Sequence, residues 1–278
     1  MTRIVHTLGE LRAVLSKMTG SIGLVPTMGF LHAGHLSLIH LSVSQNTNTV
    51  VSIFVNPTQF GPTEDLNKYP RDIDGDLVKI NNAGECLVWI PDAGSMYADD
   101  HQTWVEVTKL TTTLEGAQRP GHFRGVTTIV SKLFNAVQPD KAYFGQKDLQ
   151  QVSVIKRMVA DLSYPIEIVV GKTIREADGL AMSSRNSYLN LEERKAAPIL
   201  FRALSEAEKD FQQGERNASV LVAKVIAMIE SEPLAQIQYV TCSDLKTLQQ
   251  VSELTQPAAI SLAVYFGKTR LIDNILLG

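Results

Sequence analysis

Two histidines one helical turn apart, His32 and His35, lie in the run Pro26-Thr27-Met28-Gly29-Phe30-Leu31-His32-Ala33-Gly34-His35. That spacing lets both imidazoles share one face of a helix that begins there. A helix N-terminus presents unpaired N–H groups and the positive end of its dipole, and so favours anions. Backbone donors, the dipole end and two imidazoles read together as a phosphate site. The run is neither G-x-G-x-x-G nor a P-loop, which needs Gly-Lys followed by Ser or Thr. The plainer alternative is a buried turn whose histidines only cap the helix. It accounts for one histidine more readily than for Thr27, His32, Gly34 and His35 together.

Further polar clusters follow other apolar runs. Asn56 and Gln59, in Asn56-Pro57-Thr58-Gln59-Phe60-Gly61-Pro62, offer amides to a small polar substrate. Turn chemistry explains Asn56 easily and Gln59 less well. Gly145-Gln146-Lys147-Asp148 is too short for a complete phosphate loop, so Lys147 reads as a single cation on a phosphate. Taken alone, it is explained equally by a surface charge. Ser183, Ser184 and Arg185 supply hydroxyls, N–H groups and a guanidinium fork for phosphate oxygens, or else a loop or helix cap. Lysine, arginine and histidine around a helix start suit a triphosphate whose charge moves during reaction. Segment 114–125, with Arg119, His122 and Arg124, reads either as a solvated loop or as a lid over the site. No nucleophile–base pair stands out: there is no G-x-S-x-G elbow, and neither Cys86 nor Cys242 has a basic neighbour. Direct attack of one substrate on another is therefore favoured over a covalent enzyme intermediate.

These groups need elements to hold them. Residues 22–25 and 49–55 are apolar runs of the kind buried in parallel sheets. Pro26 predicts the end of the first, because it cannot donate to a ladder. Residues 86–91, 142–144 and 166–170 read as further strands, and 103–107 as a short edge strand. Helices are predicted over 7–18 (Leu8, Leu11 and Leu15 on one face), from Gly34 with Leu36, Ile39, His40 and Val43 on one side, and over 72–83, 126–137 and 149–162. Strands alternating with helices from residue 22 to about 175 predict a Rossmann-like doubly wound parallel sheet, with ligands at the carboxyl ends of its strands. Each polar cluster up to that point follows a strand, hence lies on one edge. Beyond Gly179 the texture changes, with helices over 191–213 and 218–230 and strands over 237–241, 259–265 and 270–275. This predicts a smaller α+β domain, 176–278, after a first domain, 1–175.

Composition narrows the function class. The chain has 278 residues, 44% of them hydrophobic and 20% charged, with a net charge of −3. Those proportions are ordinary for a soluble globular protein. A pI near 6.1 leaves no electrostatic footprint for nucleic acid or an anionic membrane. No apolar run has the length of a membrane span, and residues 1–12 carry no signal-peptide core, so a cytoplasmic protein is expected. Two widely separated cysteines in apolar contexts predict reduced core thiols, without the paired spacing of a zinc site.

Read in order, Pro26-Thr27-Met28-Gly29 into His32-Ala33-Gly34-His35, Asn56-Pro57-Thr58-Gln59-Phe60, Tyr69-Pro70-Arg71, Arg119-Pro120-Gly121-His122-Phe123-Arg124-Gly125, Gly145-Gln146-Lys147-Asp148, Met182-Ser183-Ser184-Arg185-Asn186 and the closing Arg270-Leu271-Ile272-Asp273-Asn274 resemble the pantoate–β-alanine ligases, or pantothenate synthetases. The H-x-G-H element alone is shared with nucleotidylyltransferases and class I aminoacyl-tRNA synthetases; the set in this order is specific. The resemblance implies a sheet of the nucleotidylyltransferase type and two half-reactions. ATP and (R)-pantoate give pantoyl adenylate and pyrophosphate, and the amine of β-alanine then displaces AMP. It assigns catalysis to His32, His35, Lys147 and Arg185. It assigns ATP to Met28, Gly29, Phe30, Leu31, His32, Ala33, Gly34 and His35, to Gly145, Gln146, Lys147 and Asp148, to Ile174, and to Met182, Ser183, Ser184 and Arg185. Gln59 and Gln151, with Asn56, Pro26 and Thr27, fall to the pantoate side. Mg²⁺ would bridge phosphates; Asp74 and Asp76 are candidate ligands, and a solvated helix start explains both as well. The resemblance also implies a homodimer and a second domain acting as a lid. The nearest rival is a nucleotidylyltransferase that adenylates a phosphorylated cofactor precursor, which would want further cations for that phosphate. A class I synthetase would want a basic RNA surface, and a nucleotide sensor would bind ATP without releasing pyrophosphate.

Overall fold

Six short apolar runs pair side by side: β1 (Arg3–Val5), β2 (Ile22–Thr27), β3 (Asn48–Ile53), β4 (Leu87–Trp89), β5 (Lys141–Gly145) and β6 (Glu167–Gly171). The computed structural model describes residues 2–62 and 64–278, and the chain divides into two units. The first is Met1–Gln146 with Val154–Lys172, and the second is Lys147–Ser153 with Thr173–Gly278.

In the first unit the strand order is β1-β4-β3-β2-β5-β6, and every pairing is parallel. Between the strands run α1 (Leu8–Leu15), α2 (Ala33–Gln45), α3 (Ile73–Ala83), α4 (Ala93–Met96), α5 (Leu114–Gln118), α6 (His122–Val137) and α7 (Leu149–Asp161), whose first turn groups with the second unit. Val25, Val51, Val88 and Tyr143 pack against Ile39 of α2 and Ile80 of α3. The alternate residues Leu24, Val50 and Ala142 are equally buried, as expected where both faces of a parallel sheet are covered. From β2 the chain builds outward through β3 to β4, then returns past β2 to β5 and β6. The topological switch point therefore lies at the carboxyl ends of β2 and β5, where sheets of this kind place their ligands.

The second unit adds α8 (Leu191–Ala196), α9 (Ile199–Gln212), α10 (Ala218–Glu230) and an antiparallel sheet of β7 (Ala235–Asp244), β8 (Ala258–Phe266) and β9 (Thr269–Leu277). Leu200 and Leu204 of α9, Leu221 and Val225 of α10, and Ile260, Leu262 and Val264 of β8 share one core. A doubly wound parallel sheet followed by a smaller α+β unit is thus the observed fold class. Among the described residues no helix is long and apolar enough to cross a membrane.

Several local expectations change. β2 continues through Pro26, which pairs opposite Ser52. The Thr27 carbonyl accepts from Phe54 N–H on the β3 side, so the preceding Pro26 faces β5, whose pairing with β2 ends at Leu24. The missing donor falls where no ladder remains to be broken. Residues 103–107 form no strand: Val105 N–H donates to Thr128 Oγ1 at 3.0 Å, and the Val105 carbonyl accepts from Thr127 Oγ1 at 2.6 Å. Helix side chains on α6 have replaced a strand partner. Segment 114–125 is largely helical, as α5 and the start of α6. The helix expected over 191–213 is two helices, because Pro198 lacks the N–H that would continue the first. In α1 the buried pair is Leu11 and Val14, with Leu8 exposed, and His40 on α2 is exposed. Strand β1, three residues long, carries too little periodicity to be read in advance.

Candidate active site

At the end of β2 the Thr27 hydroxyl donates to the Ser52 carbonyl at 2.8 Å and accepts from Gly29 N–H at 3.2 Å. Gly29 and Phe30 then both take left-handed backbone, φ 81° and 51°. Left-handed backbone is costly for Phe30. Asp76, on α3 and fully buried, holds this turn: its Oδ2 accepts from Phe30 N–H and its Oδ1 from Leu31 N–H, each at 2.7 Å.

Helix α2 follows at once. His32 is its N-cap, with Nδ1 accepting from Gly34 N–H at 3.1 Å. His35 completes the box, its Nδ1 accepting from His32 N–H at 3.3 Å. The ring centroids are 4.1 Å apart. A nitrogen that accepts from a backbone N–H carries no proton, so in each neutral ring the proton sits on Nε2. The capping reading of the histidine pair is therefore observed. The δ edges cap the helix, and each ε edge carries an N–H donor. No acidic side chain offsets the dipole in the first turn.

The amides of Asn56 and Gln59, singled out in the sequence, sit beside this turn. Asn56, 1% exposed, donates from Nδ2 to Gln59 Oε1 at 3.0 Å and to the Gly125 carbonyl at 3.1 Å. Gln59 Nε2 lies 3.1 Å from Met28 Sδ. Gly125 must be glycine here, since a Cβ would stand 2.4 Å from the Thr58 carbonyl oxygen. His122, buried at the start of α6, donates its Nδ1–H to the Gln59 carbonyl at 2.8 Å, and its Nε2 accepts from Arg119 Nη1 at 3.1 Å. Arg119 also grips Glu64 with two bonds of 2.7 Å. Burial, with the Arg119 charge added, pushes His122 down to about 4. Burial alone would raise Glu64, but the hydrogen bond and charge of Arg119 outweigh it and hold the carboxyl below its usual range. So the 119–125 part of segment 114–125 is not an irregular solvated loop. It is a packed helix start that supports the Gln59 turn.

In the second unit Lys147 lies in the 3₁₀ turn Gln146–Asp148, and Gln151 follows, half-buried, in the first turn of α7. The Lys147 carbonyl accepts from Asn274 Nδ2 at 2.9 Å. Next to Asn274, buried Asp273 accepts two bonds from Arg175, at 2.5 and 3.0 Å. The Ile174 carbonyl accepts from Met182 N–H. Ser183 caps the 3₁₀ turn Ser184–Tyr188 by accepting from Arg185 N–H at 3.2 Å. Lys147 and Ser183 line one small cavity with Asn186 and Asp273. Gly145, the last residue of β5, and Gln146, by contrast, belong to the first unit.

Asp74 is exposed on the first turn of α3, and both oxygens of Asp76 are engaged by the main chain. Among the described residues no group of three or more His, Cys, Asp or Glu side chains could hold a metal ion. The residues present therefore do not form a resident metal centre. Cys86 and Cys242 are buried free thiols, pushed up to about 11 by burial, and neither is an activated nucleophile. Sequence reasoning missed the supports: Asp76 for the turn, His122 for Gln59, and Asn274 for Lys147. Asp76 lies 46 positions from Phe30, and no periodic signal spans that distance.

Comparison with known proteins adds a family-level finding. The family model described as pantoate–β-alanine ligase matches residues 3–276. A pantothenate synthetase of Herpetosiphon aurantiacus is 52% identical over 276 residues, covering 99% of this chain and 100% of that protein. Another, of Thermoanaerobacter sp. strain X514, is 54% identical over 263 residues, covering 94% and 93%. The crystal structure of pantothenate synthetase from Thermus thermophilus superposes with a TM-score of 0.95 at 44% identity, covering 99% of each chain. The pantoate–β-alanine ligase of Francisella tularensis, complexed with β,γ-ATP and β-alanine, matches with a TM-score of 0.83 at 33% identity, covering 99% of this chain and 98% of that one.

Proposed function

The chain belongs to the pantoate–β-alanine ligase family, and from that membership we propose how its own residues join (R)-pantoate to β-alanine with conversion of ATP to AMP and pyrophosphate. The single observation that carries the mechanism is the histidine pair at the end of β2, whose δ nitrogens cap α2 and whose ε edges carry the protons. A free carboxylate is a poor acyl electrophile. The pantoate carboxylate therefore first attacks the α-phosphate of ATP, and negative charge builds on the departing pyrophosphate. His32 and His35, preformed at the α2 start, meet that charge with neutral N–H donors that need no rearrangement as the charge moves, and Lys147 and Arg185 are assigned to it as cations. The ATP contacts are Met28 to His35, Gly145 to Asp148, Ile174 and Met182 to Arg185. Gln59 and Gln151, with Asn56, Pro26 and Thr27 around them, take the hydroxyls and carboxylate of pantoate. The amine of β-alanine then attacks the acyl carbon and AMP leaves. Mg²⁺ enters as the counter-ion of ATP, part of the substrate, in keeping with its habit of binding phosphates and water over all-protein cages. The protein acts in the cytoplasm as a homodimer.

The rival nucleotidylyltransferase reading is not favoured, since the uncharged amides of Gln59 and Gln151 suit the hydroxyls and carboxylate of a hydroxy acid and not a second phosphate. The test is isotope exchange. Labelled pyrophosphate should enter ATP when pantoate and Mg²⁺ are present and β-alanine is absent, and should not when pantoate is omitted. An absolute requirement for β-alanine would remove the stepwise adenylate.

A further inference from the structure

Asp76 has no exposed surface, yet Lys79 Nζ, 3.7 Å away, is itself partly exposed. A buried carboxylate needs compensation, and here consecutive main-chain N–H groups supply it. Phe30 and Leu31 each donate at 2.7 Å to a different oxygen of the carboxylate. Successive N–H groups on left-handed backbone form a concavity that binds anions. In this chain that concavity already contains the protein's own anion. Gly29 closes the arrangement, because at φ 81° a Cβ would stand 3.1 Å from Asp76 Oδ2 and 3.1 Å from Ile53 Cγ2.

We propose that Asp76 is a positioning residue for ATP: it locks the Gly29–Leu31 turn in its left-handed form and thereby aims the His32–His35 helix start. The inference rests on the proposed function. Its physical content is that Phe30 is sterically strained at φ 51°, and the two carboxylate bonds to Phe30 and Leu31 N–H favour that conformation over a relaxed one. Because the Phe30 and Leu31 N–H groups serve Asp76, the phosphates are left to the donors that follow, at the α2 start. Asp76→Asn keeps the shape but turns one acceptor into a donor facing an N–H. Charge-assisted bonds of this kind are about twice as strong as neutral ones.

The test compares Asp76→Asn with Asp72→Ala. Asp72 caps the same helix, its Oδ1 accepting from Gly75 N–H at 3.0 Å. Asp76→Asn is expected to weaken ATP binding, read by calorimetric titration, by about 10- to 100-fold, with pantoate affinity within about twofold of wild type. Asp72→Ala should lower the melting temperature while ATP affinity and pyrophosphate exchange stay within about twofold. Gly29→Ala strains the same turn, so its effect on ATP should not add to that of Asp76→Asn. Equal losses for ATP and pantoate, additive effects, or losses that simply track melting temperature in both helix variants would overturn the assignment. If Asp76→Asn does not fold, Gly29→Ala alone must show the selective ATP loss. Wild-type protein that binds ATP but exchanges no pyrophosphate with pantoate would defeat the proposed function, and leave the comparison of ATP affinities to judge Asp76.

Discussion

His122 donates its Nδ1–H to the main-chain carbonyl of Gln59 across 2.8 Å, and its other nitrogen faces Arg119. The imidazole must be neutral for both contacts to stand, since a second ring proton would point at a guanidinium. Its pKa is lowered from 6.5 to about 4, first by burial and then by the Arg119 charge. The unfolded chain takes up that proton near the ordinary value. Stability from this site is therefore complete above about pH 6.5 and is lost as pH falls toward about 4, a change on the order of 3 kcal/mol. Urea midpoints measured across that range should fall more steeply for wild type than for His122→Asn, which donates without titrating. Parallel curves would show that His122 does not set the acid limb.

Gln59 is the side chain this support serves. Its amide accepts from Asn56 and lies against Met28 Sδ. Under the proposed function Gln59→Ala removes a partner for a pantoate hydroxyl, and it should weaken pantoate by about 5- to 150-fold while sparing ATP. Gln151→Ala should behave alike. Titration of each ligand separately decides it; ATP affinity falling in step with pantoate would reject the pantoate assignment.

For His35 one substitution separates the observed cap from the proposed chemistry. Asparagine can offer an acceptor near the position of Nδ1, but has nothing at the ε edge. His35→Asn should keep the melting temperature within about 2 °C, yet cut pyrophosphate exchange by about 100-fold or more, the scale of a lost transition-state donor. Near-normal exchange in a folded variant would reduce His35 to a cap.

Asn274 reaches Lys147 from 127 positions away, and its bond to the Lys147 carbonyl is part of a chain that runs on through Asp273 to Arg175. Lys147→Ala should depress exchange by about 100-fold. Asn274→Ala should depress it by about tenfold with a raised KM for ATP, and should add little in a Lys147→Ala background, because it acts through that residue. Full additivity in the double variant would mean Asn274 works elsewhere.

The sequence by itself determined the kind of fold and the local chemistry. Unbroken apolar runs become doubly buried parallel strands, and the spacing of His32 and His35 puts both on one helical turn at a strand end, because period and turn chemistry act over a few residues. A local break was equally available, though not used: Pro198, which divides one predicted helix into two. Tertiary structure decided everything that depends on partners far along the chain. It carried β2 through Pro26 by ending the β5 ladder at Leu24. It gave Val105 the hydroxyls of Thr127 and Thr128 in place of a strand neighbour. It turned Asp76 from a candidate Mg²⁺ ligand or solvated helix-start residue into the fully buried anchor of Phe30 and Leu31. It also grouped 147–153, which sequence order sets just after β5, with the unit that contains Asn274. Hydrogen bonds and burial are indifferent to sequence separation, whereas periodicity is not, so a side chain's local pattern names its element and its distant neighbours assign its task.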